Sequence, residues 1–567
     1  VQGDITVNAG VLVVKDPAAL GSGVDMITVN GNSTTGWDGG MLLLDAGTSA
    51  LVFNQSLSLD GRGATTNNAS SALLTLGNVT LNGPVQLGNS STTSYLSSGY
   101  GTLVMAGPVN TTGTSYFSGN GNVVLSGPVS GGGLSKTYGT LPSTLWLQNP
   151  NNAFTGQLSI SGGYVRVSNG EALGKNATPL SFSGGLLEVR ADPDSIVGFA
   201  NKNVTTGNNS TVQIFLDRGL GGKGLAQTVA FGDWSTSVYS TTVTGRNGYG
   251  LSMGKVGSTL GREWQYFTNN SNGLLTVNEN VSLNNPTNGG RFDLSLYAVG
   301  DIVLVGSISS LAANPAILDG ISKYNSGLAL FTGTSTSLRG TTSISGGVLQ
   351  IRGFGALGDV GPQSGAINLS NGALNFAGPA GETTSKLINL SGTTSNGMVL
   401  ANQSGLSPLV FNSGVAAGGA GSKTLLLGGT NAAANQISGI INQNGGTTSV
   451  FKADTGTWVY SPLATLAVGG TGTTVSAGTS SSSALIMGAT AGLSPGMSVS
   501  GTNVPSGAVI TSIIGNTLWL SSAASTAVPA GTLLTFGSLT SFTGNLSISA
   551  GTMRLQATSA TSDVLSN

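Results

Sequence analysis

Whatever chemistry this chain performs must come from few side chains, and the best cluster lies between about Arg190 and Arg262. Asp192-Pro193-Asp194 and Asp217-Arg218 supply carboxylates beside a guanidinium. Two carboxyl groups roughly 5–10 Å apart across an open groove are what glycoside cleavage requires. Asp192 and Asp194, with loop carbonyls, are also hard oxygen ligands of the kind calcium selects. Yet Asp-Pro-Asp-Ser is ordinary turn chemistry, and Asp217-Arg218 an ordinary surface pair. Trp234, Tyr239, Tyr249 and Trp264 could stack on sugar rings or cover a loop's own apolar base. Gly219-Leu220-Gly221-Gly222-Lys223-Gly224 lacks the following helix of a phosphate cradle.

Composition removes most other chemistries. The 567 residues include no His and no Cys. Neither a Ser-His-Asp nor a Cys-His triad can be built, nor a Cys/His zinc site, nor a disulfide. The 20 basic and 21 acidic residues leave a formal charge of −1, with no basic footprint for nucleic acid. Charged residues make up 7% where globular chains average about 25%. The apolar fraction of 39% nonetheless argues against disorder. No apolar run reaches the roughly 18 residues of a membrane span. No cofactor or metal is expected.

The elements that must position these residues come from an internal repeat. VQGDITVNAGVLVV (1–14), FTGQLSISGGYVRV (154–167), LRGTTSISGGVLQI (338–351) and FTGNLSISAGTMRL (542–555) align without gaps. Paired glycines recur at Gly3 and Gly10, Gly156 and Gly163, Gly340 and Gly347, Gly544 and Gly551. The first three copies then reach Ala-Leu-Gly, ending at Gly21, Gly174 and Gly358. Period-two alternation reads as strand, tight turn, strand, with Ile5, Val7, Leu12 and Val14 on the inner face. The second strand carries Arg166, Gln350 and Arg554 outward, as a wall with one wet face requires. Short strands with Gly and Asn corners, and no helical period, predict an all-β, right-handed parallel β-helix (β-solenoid) with coils of roughly 20–25 residues. Asn residues recurring at coil corners predict ladders of side-chain amides.

The four segments resemble the autotransporter-associated β-strand repeat. Phe154-Thr155-Gly156 and Phe542-Thr543-Gly544 carry its leading tripeptide, while the other two copies substitute it. The resemblance implies a right-handed β-helix in a secreted or surface-displayed bacterial protein, and it implies no enzymatic activity.

The expected organisation is a solenoid over 1–461, elaborated at about 190–262, an inserted small β module over 462–537, and final coils over 538–567. Thr455 to Met553 contains no charged residue. Neither end shows a polar cap of the kind a free-standing solenoid needs. The leading expectation is therefore a non-enzymatic subunit of an extracellular filament, sheath or surface layer. It would polymerise head to tail, Ile5, Val7, Leu12 and Val14 meeting Leu546, Ile548, Met553 and Leu555 of the next copy. The alternative is a surface-displayed adhesin passenger, contacting glycan or a host surface through 190–262 (Asp192, Asp194, Asp217, Trp234) or 462–537. Third stands a polysaccharide-cleaving enzyme working through Asp192 and Asp217. No membrane insertion is expected.

Overall fold

A computed structural model describes residues 3–556, apart from 21–24, 32–38, 67–68, 89–92, 138–142, 175–178, 207–209, 237–239, 259–263, 284–292, 311–318, 336–337, 359–364, 420, 463–468, 477–481 and 540. The chain divides into two units, 1–254 with 271–274, and 255–270 with 275–567.

In the first unit the coils stack short strands into parallel sheets, three of which run side by side between about residues 93 and 154. One sheet stacks 5–7, 26–30, 56–60, 85–87, 109–111, 129–131 and 153–154. A second runs from 10–14 to 240–245, and a third from 93–100 to 234–236. A coil takes 20 residues between Val109 and Val129 but 30 between Ile27 and Leu57, so the expected 20–25 is too narrow. Part of the excess bulges out within a strand, shifting the register between Asp45 and Ala50. Alternation does the rest. Leu103, Val123, Leu145, Val165, Leu187 and Ile214 stand in register as one inward column, each at most 3% exposed. Burying each such side chain contributes about 1.5–3 kcal/mol.

The repeated glycines have different tasks. The second of each pair, as at Gly163 (φ 62°), turns the corner in a conformation that L side chains resist. In the last three copies the first allows close approach: a Cβ on Gly156 would lie 2.4 Å from the backbone nitrogen of Gly133. The Ala-Leu-Gly tripeptides close 3-10 turns that bury Leu20, Leu173 and Leu357.

The second unit is built alike. One of its sheets stacks 275–277, 302–304, 328–331, 348–351, 373–376, 395–401, 423–428, 448–452 and 546–548. Strands 448–452 and 457–460 pair directly with 546–548 and 552–555. The chain thus leaves the solenoid after Tyr460 and re-enters one coil later. In between, the described strands pair antiparallel: 470–473 and 499–500 with 533–536, and 484–486 and 510–514 with 517–520. Met487, Met497, Ile510, Leu518, Leu534 and Phe536 form their core. Val509 packs into the solenoid wall against Ala366, Leu387 and Ala416.

Among the described residues six lysines point inward, an arrangement the residue pattern did not suggest. Lys136, Lys202, Lys323, Lys386, Lys423 and Lys452 are each at most 3% exposed. Lys136 occupies an inward column between Phe117 and Ile160, and Lys323 another between Leu296 and Ile344. Their ammonium groups gather corner oxygens. Lys323 Nζ donates to the carbonyls of Tyr324 (2.7 Å), Asn325 (2.8 Å) and Gly346 (3.2 Å). Lys136 Nζ donates to the Thr137 carbonyl (2.9 Å) and Ser143 Oγ (2.8 Å). Burial lowers both from the ordinary 10.5 to about 8. Lys202, Lys423 and Lys452 shift the same way for the same reason.

Between about pH 8 and pH 10 the unfolded chain therefore holds protons on Lys136 and Lys323 that the folded chain releases, so stability rises with pH. Above about pH 10 the trend reverses, because burial raises the Tyr249, Tyr297 and Tyr460 hydroxyls. The thermal midpoint at fixed ionic strength should climb from about pH 7 to about pH 9.5, and Lys323→Met should flatten the climb. A midpoint that stays level or falls over that interval contradicts this account.

Candidate functional site

The site is assembled on the outer face of the first unit by register alone. Trp146, Arg166, Glu188 and Phe215 stand opposite one another on successive strands, and Arg190 stands opposite Asp217. They face outward because Leu145, Val165, Leu187 and Ile214 beside them face in.

Glu188, 6% exposed, divides its carboxylate between two arginines. Its Oε2 accepts from Arg166 Nε at 2.7 Å and its Oε1 from Arg190 Nε at 2.5 Å. Arg190 Nη1 also donates to Asp217 Oδ2 at 3.0 Å. Asp217 Oδ1 accepts from Asn247 Nδ2 (2.6 Å) and from the backbone N–H of Arg218 (2.9 Å). The guanidinium of Arg166 lies 5.3 Å from the Trp146 ring centre, and that of Arg190 5.1 Å from Phe215. The result is a rail of alternating charge, fixed on both flanks by aromatic rings.

Beside the rail lies a cleft of about 330 Å³, bounded by Trp146, Arg166, Arg190, Asp192, Ser195 and Leu220. Ser195 Oγ accepts from the Asp192 N–H and donates to the Asp192 carbonyl, which fixes the 3-10 turn Pro193–Ser195. The glycine-rich loop presses on the Asp192 carboxylate so closely that a Cβ on Gly222 would lie 2.0 Å from Oδ1. Leu220 projects from that loop, 67% exposed. Several polar groups here are unused. Arg166 bonds only through Nε, leaving both terminal nitrogens without an acceptor among the described residues. Trp146 Nε1 and Asp192 Oδ1 are buried without partners.

The expected site residues are distributed unevenly. Asp192 borders the cleft and Asp194 is exposed at its turn. Asp217, 4% exposed, is committed to Arg190 and Asn247. Trp234 and Tyr249 require correction as sugar platforms, being 1% and 0% exposed. Trp234 stands in register with inward Val204 and meets Phe231 edge-on, while the Tyr249 hydroxyl donates to the Ala191 carbonyl at 2.8 Å. Tyr239 and the side chain of Trp264 lie outside the described residues. Among the described residues no three acidic side chains converge as a metal site would need. Trp146 was missed. Its signal was its place in Thr144-Leu145-Trp146-Leu147, one coil ahead of Arg166.

Ile5, Val7, Leu12 and Val14 face inward, paired with Ile27, Val29, Leu42 and Leu44. Leu546, Ile548, Met553 and Leu555 pair with Val450, Lys452, Trp458 and Tyr460. Ile548 and Leu555 are 53% and 43% exposed. The two sets belong to different units, and their strands have one neighbour each among the described residues.

Fold and site together define a parallel β-solenoid wall with a pre-set polar cleft. No family model and no solved structure matches the chain. It is similar to the adhesin BmaC autotransporter of Brucella suis biovar 1 (strain 1330), 27% identical over 351 residues. That similarity spans 56% of this chain and 9% of the adhesin. No helix of the described residues is long and apolar enough to cross a membrane.

Because Glu188 balances two guanidinium groups, Glu188→Ala should cost about 2–3 kcal/mol in chemical denaturation, less than a fully buried pair since both arginines reach solvent. A loss under about 0.5 kcal/mol, the scale of exposed pairs, would show that the rail is only a surface arrangement.

Proposed function

We propose that this chain is part of the passenger of a surface-displayed bacterial adhesin, a β-solenoid that carries a contact site away from the cell. The observation that carries the reading is the parallel β-solenoid combined with similarity to an autotransporter adhesin. The recurring strand, glycine corner, strand and Ala-Leu-Gly turn are compatible with it, since they resemble autotransporter-associated repeats. Location at the cell surface or in the medium follows from the same reading.

The role is binding rather than catalysis. Asp217, needed as a second free carboxyl for glycoside cleavage, is held by Arg190 and Asn247. The β-solenoid would serve a filament subunit equally well, and the similarity to an adhesin is what favours the present reading.

Beads coated with the purified chain should attach to cultured epithelial cells or their deposited matrix several-fold more than albumin-coated beads. Attachment at the albumin level on every surface tested would overturn the adhesin reading. Uniform filaments in electron micrographs of the same preparation would restore polymer assembly in its place.

A further inference from the structure

The cleft beside the charge rail says what kind of ligand it accepts, and this inference rests on the adhesin reading above. We propose that it binds the carboxylate of an acidic sugar, a uronate or sialate unit within a glycan, with Arg166 as the principal contact.

The unused groups have a definite chemistry. Arg166 is held in place through Nε, so its two terminal nitrogens present a fixed fork to the cleft. A planar fork with two parallel N–H donors matches a carboxylate, which accepts bidentately. Arg190 adds Nη2, since its Nε and Nη1 are taken by Glu188 and Asp217. Both cations are already oriented by buried carboxylates, so little side-chain freedom is lost when a ligand arrives.

A carboxylate alone would not complete the site. Asp192 Oδ1 lacks a donor, and a second anion cannot supply one. A sugar hydroxyl can, being donor and acceptor at once. Oδ1 lies under the Gly219–Gly222 loop, so a hydroxyl reaches it only as that loop lifts, which its glycines permit. Trp146 and the exposed Leu220 offer apolar surface to the carbon face of a ring. A volume of about 330 Å³ is at the lower end for ligand sites and suits one or two sugar rings. Acidic peptides bring the carboxylate without the adjacent hydroxyls, and neutral sugars leave the arginine fork empty.

The test is calorimetric titration of the whole chain with a glucuronate-bearing tetrasaccharide and with sialyllactose, each beside its carboxyl-reduced counterpart. At least one acidic form should bind roughly ten- to a hundredfold more tightly than its reduced form, the weight of one charge-assisted pair. Its affinity should fall as salt is raised. Arg166→Gln should lose the same factor. Should that variant unfold, Arg166→Lys keeps the charge but not the fork and must still weaken binding. Equal affinity for acid and reduced forms, or an unchanged affinity in a folded Arg166 variant, overturns the proposal. Arg166→Gln beads that still attach to cells fully would overturn the cleft as the adhesive contact while leaving the adhesin reading intact. Sugar binding without bead attachment would support the site and overturn that reading.

Discussion

In-register stacking of parallel strands governs this molecule. Along the strands the backbone N–H and C=O groups pair with the coil above or below, about 4.8 Å away. A strand side chain between two coils therefore has one neighbour over it and one under it, at the same position on the wall. Inward, this yields aliphatic columns such as Leu103 through Ile214. Outward, it turns separate residues into ladders. The site is one such ladder: no loop had to bring Trp146, Arg166 and Glu188 together, because the register did.

Corners are where this scheme is strained, since the chain must turn while its backbone polar groups stay satisfied. Two devices serve. Amides bridge coils on the outside, as Asn82 to Asn54 (2.9 Å) just beyond the ends of their strands. Inside, lysines take over. Lys452 Nζ reaches the carbonyls of Asp454 (2.8 Å) and Ala550 (3.1 Å), which ties the coil before the insertion to the coil after it. A buried ammonium is expensive unless it has oxygens around it, and a turning backbone supplies them.

The repeat made the solenoid legible, because strand, glycine corner and Ala-Leu-Gly turn are local features that recur at fixed spacing. The amide ladders were legible too, since Asn density at corners is visible in one dimension. The inward lysines were not: a Lys closing Leu134-Ser135-Lys136 looks like the wet end of a strand. Whether it turns in depends on corner carbonyls contributed by other segments. The site was legible only by half. Asp192 and Asp217 stood out as acids, but their different fates, one beside a cleft and one sealed by Arg190 and Asn247, depend on register across coils of unequal length. Trp234 misled because aromatic character was visible and its inward phase was not.

The same constraint accounts for a chain with so few charges. On a stacked wall, like charges in register would lie about 4.8 Å apart along a whole column, a repulsion that an ordinary surface avoids by spacing. Neutral polar ladders escape it, and they can even be buried. Under the antiparallel insertion Asn389 donates to Asn368 at 2.9 Å, while Asn389 Oδ1 accepts from the Gly418 N–H at 3.0 Å. Asn368 in turn reaches the Ser521 carbonyl across the seam at 3.3 Å. Charge is tolerated in register only when its sign alternates from coil to coil. Arg166, Glu188, Arg190 and Asp217 do this, and alternation leaves each arginine balanced through one edge and open through another. An open guanidinium edge on a nearly uncharged wall is a local exception, and such exceptions are where a partner of opposite charge would be drawn.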